Sequence, residues 1–140
     1  MIHFIKQDGK FKPVYKTDID TWNKIPENKI YAMRYKRDRN AKHHRKLFAI
    51  ANLIIQNSPE DSMWNNKTAY LLIKSTEMEL GYVEEVLHMN GEITFEPQSI
   101  NFESWGQDEF ERFYEDAITY WCSHFGYERD VLENNYEEYL

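Results

Sequence analysis

A cluster of cationic side chains in the middle of the chain is the feature that could bind a charged ligand. Residues 34–46 read RYKRDRNAKHHRK, with seven Lys and Arg residues against a single Asp. Clustered Lys and Arg side chains bind phosphates and release counterions, and Arg can grip a phosphate with two parallel hydrogen bonds. The segment therefore predicts contact with nucleic acid or another anion. A solvated surface that pairs with the acidic end of the same chain explains it equally well.

Seven residues of this segment are the predicted nucleic-acid contacts. Five of them would hold phosphates: Arg37, Arg39, Lys42, Arg45 and Lys46. Two would contact bases or sugars: Tyr35 and His43. The Tyr35 ring in particular offers a stacking face to an unpaired base. The alternative interpretation of His43 is a packed, half-buried ring.

The histidines, the cysteine and the carboxylates form no recognised catalytic or metal-binding pattern. His43 and His44 would point about 100° apart on a helix, and no zinc-ligand spacing accompanies them. Cys122 and His124 are two positions apart and would not face each other on a helix. A magnesium-dependent nuclease needs carboxylates that converge on one point, and the sequence singles out no such group. We therefore predict no catalytic residue, no metal and no cofactor, with a metal-dependent nuclease as an open alternative.

The C-terminal quarter of the chain carries the opposite charge. Between positions 103 and 140, eleven Asp and Glu residues face only two Arg residues, in a chain of net charge −7. One interpretation is a solvated surface that keeps the protein soluble. The other is a surface that imitates the phosphate charge of DNA or docks on a basic protein. The residues of this alternative protein-binding surface are Glu128, Asp130, Glu133, Glu137 and Glu138.

The basic segment must be positioned by the elements on either side of it. Asn40 is a suitable N-cap for a helix over residues 41–56, in which apolar residues recur on one face. Residues 29–35 alternate between apolar and polar side chains, which predicts a strand. The cationic side chains would then lie at a strand-to-helix corner.

The remaining elements are short and are separated by turn signals. The predicted strands are 2–5, 11–15, 82–89 and 92–96, and the other predicted helices are 17–23, 64–74 and 105–125. Asp8-Gly9 marks a turn between the first two strands, and Asn90-Gly91 favours a type I′ turn between the last two. Thr17 and Ser104 would cap the helices that follow them, and Gly126 would end the last one.

The pattern of elements predicts an α+β fold. We expect one domain over residues 1–140, with a small antiparallel sheet packed against three or more helices. The sheet would combine the N-terminal strands with the Asn-Gly hairpin. Residues 127–140 would form a loosely packed acidic terminal helix or a tail.

Composition predicts a cytoplasmic protein. No run approaches ~18 consecutive apolar residues, so no membrane contact is expected. The first ten residues lack the layout of a signal peptide. Cys122 is the single cysteine, so no internal disulfide forms, which fits a reducing compartment.

Three blocks of the sequence resemble a family of phage and prophage proteins of unknown function. The first block is RDRNAKHHRKLFAI at residues 37–50, the second is EPQSINF at 96–102, and the third is DEFERFY at 108–114. Their order matches that family, so the resemblance covers nearly the whole chain. The chain is shorter than longer members between the first helix and the hairpin. Such proteins tend to occur among phage recombination genes.

The basic segment is also similar to a helix start in the NinB (Orf) family of phage recombination mediators. The residues that fall on the pattern are Arg37, Arg39, Arg45, Lys46, Leu47, Phe48 and Ala49. His44 departs from it, because NinB proteins tend to have a polar amide there. NinB proteins bind single-stranded DNA, interact with host single-strand-binding protein and form dimers. The resemblance therefore implies these partners and a homodimer, in the cytoplasm of a host bacterial cell.

Two functions of different classes follow from these observations. The first is a phage-type recombination accessory protein that binds single-stranded or branched DNA without catalysis. The second is a phage-encoded inhibitor of a host defence complex or nucleic-acid machine, similar to an anti-CRISPR protein, which would act through its acidic surface.

Overall fold

The chain forms two compact units that divide between Asp38 and Arg39. The computed structural model describes all residues from Met1 to Leu140. Residues 1–38 are the N-terminal unit here, and residues 39–140 are the C-terminal unit. Five α-helices and two antiparallel two-stranded sheets confirm the predicted α+β class. None of the helices has the length and apolar character needed to span a membrane. That the whole chain acts as one domain stays a prediction.

The N-terminal unit is a hairpin followed by a short helix. Its elements are β1 (Phe4–Gln7), β2 (Lys10–Pro13) and α1 (Lys16–Asn23). Asp8 and Gly9 form the two-residue connection, and both have positive φ, at 52° and 74°. That combination is the type I′ turn, whose twist matches the twist of the two strands. The register places Lys6 opposite Phe11.

Helix α1 begins one residue before the predicted cap. Tyr15, not Thr17, is its N-cap residue. The Asp18 carboxylate accepts a hydrogen bond from the Tyr15 backbone N–H at 3.3 Å, so it satisfies a donor that the first turn leaves open. Asp18 is buried, and His3 Nδ1 lies 3.5 Å from the same carboxylate.

Residues 29–35 do not form the predicted strand. The chain from Lys29 to Arg39 is neither helical nor extended in a ladder. An alternating pattern specifies a strand only where a second strand supplies hydrogen bonds, and both sheets of the chain are two-stranded hairpins that leave this segment out. Ile30 and Met33 are exposed, so the alternation does not mark a buried face either.

The C-terminal unit contains every buried apolar side chain of the protein. Its elements are α2 (Ala41–Gln56), α3 (Ala69–Leu80), β3 (Val83–Leu87), β4 (Ile93–Pro97), α4 (Gln107–Phe125), α5 (Arg129–Asn135) and a short 3₁₀ helix (Glu137–Tyr139). Helix α2 contacts α3, α5 and the 3₁₀ helix, while α4 packs on α3 and α5. The core therefore surrounds α2, the helix that carries the basic segment.

Helix α2 has the predicted bounds. The Asn40 side chain accepts hydrogen bonds from the N–H groups of Lys42 (3.0 Å) and His43 (3.2 Å), which confirms it as the N-cap. Leu47, Ile50 and other members of the apolar stripe are fully buried. This buried face therefore determines where the cationic side chains in the first two turns of α2 point.

Helices α3 and α4 begin later than predicted. Helix α3 starts at Ala69, five residues after the predicted start, and Thr68 caps it by accepting a hydrogen bond from Leu71 N–H at 3.1 Å. Gly106, not Ser104, is the N-cap residue of α4. Gly126 ends α4 with φ of 78°, as predicted.

The second hairpin has a three-residue loop, not the predicted type I′ turn. His88 N–H donates to Glu92 O at 2.8 Å, and Gly91 N–H donates to His88 O at 2.9 Å. Of Asn90 and Gly91, only Gly91 has positive φ, at 90°. Asn90 instead accepts a hydrogen bond from Glu92 N–H through its side chain. This is the arrangement of a loop that ends in a glycine bulge.

The last fourteen residues are attached to the core by apolar contacts. Leu132 is fully buried, and the rings of Tyr136 and Tyr139 pack on the core of the C-terminal unit. Asn57 Nδ2 also donates to the Tyr139 hydroxyl at 2.9 Å.

Candidate functional site

The basic residues around the start of α2 fall into two groups, one packed against the core and one exposed. Arg39 and the two histidines lie against the core, whereas Lys42 and Arg45 are exposed to solvent. The helical period produces this division, because residues three apart share a face and their neighbours do not.

Arg39 is an interior residue. Its side chain is 7% exposed, and its guanidinium donates to Ile100 O at 2.7 Å and to Asn101 O at 3.3 Å. The same group lies 3.9 Å from the centre of the Phe110 ring. Burial lowers the pKa of Arg39, yet a guanidinium stays charged in proteins. Its donors hold the segment after β4 against the start of α2, and the phosphate contact of Arg39 stays a prediction.

His44 is held in one protonation state by Arg39. The guanidinium NH2 group lies 2.8 Å from His44 Nδ1. Because a guanidinium only donates, Nδ1 must accept, and the imidazole is neutral with its proton on Nε2. Burial is the main cause that lowers the pKa of His44, and the charges of Arg39 and Arg45 act in the same direction.

His43 is a packed ring, which was the alternative interpretation of this residue. Its ring lies 4.4 Å from the Tyr114 ring and 5.0 Å from the Phe110 ring, measured between centroids. Gln107 Nε2 lies 2.9 Å from His43 Nδ1, and Gln107 Oε1 accepts from Asn40 N–H at 2.8 Å. Burial lowers the pKa of His43. These contacts turn the ring away from the base or sugar contact that was predicted.

Gln107 is a residue of this site that the sequence did not reveal. It is buried and connects the start of α4 to the cap of α2. Its partners are 64 and 67 positions away, so no local pattern marks it.

Lys46 faces the C-terminal segment. Its Nζ lies 5.6 Å from the Tyr114 ring centre and 5.4 Å from the Tyr136 ring centre, and the residue is half-buried. Cations are attracted to the faces of such rings. Lys46 is therefore one of the residues through which the start of α2 contacts α4 and the C-terminal segment.

Lys42 and Arg45 form what we call the α2 cationic face. Both are exposed, and they lie three positions apart in the first two turns of α2. No acidic residue occupies the first turn. The helix N-terminus carries positive partial charge, so two cations there are unfavourable unless an anion compensates them. These two cations thus lie at the surface of a unit in which Asp and Glu residues outnumber Lys and Arg residues.

The two remaining predicted contacts belong to the N-terminal unit. Tyr35 is 95% exposed, and Arg37 is also exposed. The structure thus distributes the seven predicted residues over both units, with the α2 cationic face in the C-terminal one.

The alternative acidic surface is available in part. Glu128, Asp130, Glu137 and Glu138 are exposed. Glu133 is not, because it accepts hydrogen bonds from Arg129 Nε at 3.0 Å and from the Tyr114 hydroxyl at 3.1 Å.

Arg129 neutralises a second carboxylate of this region. It grips Glu115 with two hydrogen bonds, at 2.6 and 2.8 Å. This bidentate contact is the main reason why the pKa of Arg129 is raised and the pKa of Glu115 is lowered.

A groove of about 530 Å³ lies beside His44, and no pattern in the sequence predicts it. Phe48, Ile100 and Lys74 are among its lining residues. Lys74 Nζ donates to Gln98 O at 2.7 Å and to Glu77 Oε1 at 3.0 Å. Glu77 is fully buried, and its burial raises its pKa to about 7. No group of three or more His, Cys, Asp or Glu side chains is arranged to hold a metal ion.

Comparisons with known proteins give little guidance. No protein-family model matches the chain, and no curated protein matches its sequence. Among solved structures, it is similar to one from structural genomics described as NinB, with a TM-score of 0.46 and 18% identity over 83% of this chain and 82% of that one. A similarity at this level assigns neither a family nor a function.

Proposed function

We propose that the protein binds nucleic acid through phosphate contacts at the α2 cationic face, as a phage-type recombination accessory protein without catalysis. The observation that carries the proposal is the pair Lys42 and Arg45, exposed on one face of a helix start that contains no carboxylate. Two cations next to the positive end of a helix favour a phosphate or another anion. The resemblance of the sequence to phage recombination proteins supports single-stranded or branched DNA as the form bound.

A salt titration tests this proposal. Labelled single-stranded DNA is mixed with the protein, and binding is measured by fluorescence anisotropy from about 50 mM salt upwards. The affinity should fall steeply with salt, because phosphate contacts release counterions. The double variant Lys42→Glu/Arg45→Glu should lose most of the binding. Absence of binding by the wild type at about 50 mM salt contradicts the proposal.

A matched control separates a local contact from a change in net charge. Lys67 and Arg112 are exposed cations elsewhere in the C-terminal unit. The double variant Lys67→Glu/Arg112→Glu changes the charge by the same amount and should bind DNA nearly as well as the wild type. If both double variants lose binding equally, the α2 cationic face is not the contact.

The second candidate function is inhibition of a host defence complex or nucleic-acid machine. The observation that favours it is the charge of the C-terminal unit, in which 19 Asp and Glu residues face eight Lys and Arg residues. Its exposed acidic residues would take the place of DNA phosphates on a basic partner. The variant set for this function neutralises Glu128, Asp130, Glu137 and Glu138. Capture of a host nuclease by the wild type, and its loss in this variant, would support it.

The same samples test the other proposed properties. A pull-down from host cells shows whether host single-strand-binding protein is a partner, and light scattering shows whether the protein is a homodimer. Incubation of branched DNA with the protein and Mg²⁺ tests catalysis, and we expect the DNA to stay intact.

A further inference from the structure

The N-terminal unit has the charge of a nucleic-acid-binding module. Its nine Lys and Arg residues face five Asp and Glu residues, which gives a net charge of +4, in a protein whose net charge is −7. Three of the lysines lie on the first hairpin, namely Lys6, Lys10 and Lys12. Basic residues of this protein are thus concentrated in the unit that the predicted contacts largely left out.

This unit also presents aromatic rings to solvent. Phe4 is half-buried and contacts two other rings edge-on, with centroid distances of 6.4 Å to Phe11 and 5.5 Å to Trp22. Phe11 is 60% exposed and Trp22 is 42% exposed. A shared central ring therefore supports two rings that keep open surface. No apolar side chain of this unit is buried, so the rings do not serve a closed core.

The hairpin register places charge beside these rings. Lys6 lies directly opposite Phe11, and residues opposite each other in an antiparallel pair share a face. Lys10 and Lys12 flank Phe11 along its own strand and point to the other face. An exposed ring beside Lys6 fits an unpaired base and its phosphate, because the ring stacks on the base and the ammonium group attracts the backbone.

We propose that Phe11, Trp22 and Lys6 form a surface that binds unpaired bases of single-stranded nucleic acid. The proposal rests on the proposed function and gives it a second, aromatic contact that selects single strands. In a duplex the base faces are stacked inside and cannot reach these rings. Charge favours this ligand over an apolar protein surface, since Lys6 shares the face of Phe11 and would lose water there without gaining a partner.

The test compares two phenylalanines. Phe95 is 57% exposed and lies on the second hairpin opposite Glu85, so it matches Phe11 in type, exposure and setting but not in charge. Binding of the full chain to a labelled oligothymidylate is measured by anisotropy. Phe11→Ala should weaken it about tenfold, the loss expected for one stacked base. Phe95→Ala should bind like the wild type, and Phe11→Trp should restore binding.

Two further measurements make the result specific. A duplex of the same length should lose little affinity on Phe11→Ala, because it offers no base face. Lys6→Glu keeps the ring and should weaken single-strand binding and reduce its salt dependence. Either variant with unchanged single-strand affinity overturns the inference.

The outcomes separate this inference from the proposed function. If the wild type binds and the Lys42→Glu/Arg45→Glu variant fails, while Phe11→Ala binds normally, the inference is overturned and the proposed function stands. If the wild type binds no nucleic acid at about 50 mM salt, both are overturned. If Phe11→Ala changes only the mass measured by light scattering, the surface joins copies of the chain, and the inference is overturned.

Discussion

The two hairpins of this protein have similar shapes and opposite charges. Each pairs two short antiparallel strands and exposes one phenylalanine on its second strand, Phe11 at 60% and Phe95 at 57%. Phe11 lies opposite Lys6, whereas Phe95 lies opposite Glu85. On the proposal made above for Phe11, the charge of the residue across the ladder, and not local shape, decides what such a surface binds, because that charge attracts or repels a phosphate beside the ring.

The hairpins differ as well in what stabilises them. Strand β4 contacts α3, and the backbone N–H of Tyr82, just before β3, donates to Glu77 O at 2.9 Å. The second hairpin is thus attached to a unit with a complete core. The first hairpin belongs to a unit with no buried apolar side chain, so its stabilising contacts are the strand ladder, the type I′ turn and the two edge-on ring contacts of Phe4. The core of the protein and the proposed aromatic contact thus lie in different units of the chain.

The largest expected effect comes from separating the two units. A fragment of residues 39–140 should unfold cooperatively in denaturant, because it retains all buried apolar side chains. A peptide of residues 1–38 should stay unfolded, since chains below ~40 residues usually need disulfides or metals to fold. Circular dichroism measures both. A folded peptide 1–38 would break the contrast in stability between the hairpins.

The next largest effect concerns Arg39, which holds the segment that follows β4. Arg39→Met keeps the bulk of the side chain but leaves Ile100 O and His44 Nδ1 without a donor. We expect a loss of roughly 2–4 kcal/mol in the free energy of unfolding, as for other buried groups left unpaired. Equilibrium denaturation measures it. The control Arg45→Met, at an exposed position, should change it by less than about 0.5 kcal/mol.

Much of α2 could be predicted from the sequence, because its signals are local. Asn40 caps the helix through the N–H groups two and three positions on, and the apolar stripe repeats with the helical period. The strand predicted at 29–35 failed because a strand depends on a partner that a local pattern does not supply. The start of α3 was misplaced because Thr68, and not the apolar Trp64, provides the cap.

The part of the site that packs against the core, namely Arg39, His43 and His44, could not be predicted from the sequence. Arg39 belongs to a run of cations that looks uniform in the sequence, and only its position on the helix start separates it from the exposed Lys42. The carbonyl groups that it contacts lie 61 and 62 positions away. The count of charges in the sequence identifies a cationic segment but does not show which of its side chains pack against the core.

A smaller effect is expected from removing the charge of Glu77, which lies in α3 just before the second hairpin. Burial raises the pKa of Glu77 from 4.5 to about 7, so the folded state binds more protons than the unfolded state between these values. Stability from this group is therefore lost as pH rises through about 7. Glu77→Gln should be more stable than the wild type at pH 8, by on the order of 1–2 kcal/mol, and similar to it near pH 4.5. Denaturation at both pH values measures the difference.

The two histidines of the site should show the opposite slope. Burial lowers the pKa values of His43 and His44 below 6.5, so the unfolded state binds more protons just below that pH. Their contribution to stability is present above pH 6.5 and is lost as the pH falls through the lowered pKa values. In the Glu77→Gln variant, stability between about pH 5 and 6.5 should rise with pH more steeply than in the wild type. A flat profile in that variant would contradict the lowered pKa values of the two rings.

The smallest effect is expected from a variant in which the second hairpin carries lysines like the first. Glu84→Lys/Glu85→Lys places lysines beside Phe95 and should increase the affinity for oligothymidylate a few-fold, with a steeper salt dependence. The neutral variant Glu84→Gln/Glu85→Gln should gain less. Anisotropy at low salt measures both. If the lysine variant gains nothing, charge across the ladder is not what distinguishes the two hairpins.

The two-residue turn of the first hairpin limits how this sequence can evolve. One inserted residue would give a three-residue loop like that of the second hairpin and could leave the ladder unchanged, but deleting Gly9 would leave too short a connection for the pair of Gln7 and Lys10. Because side chains alternate along a strand, the resulting one-residue slip would move Phe11 away from Lys6 to the opposite face, with the net charge unchanged. Substitutions on this hairpin can therefore accumulate one at a time, whereas shortening its turn removes the aligned ring and lysine in a single step.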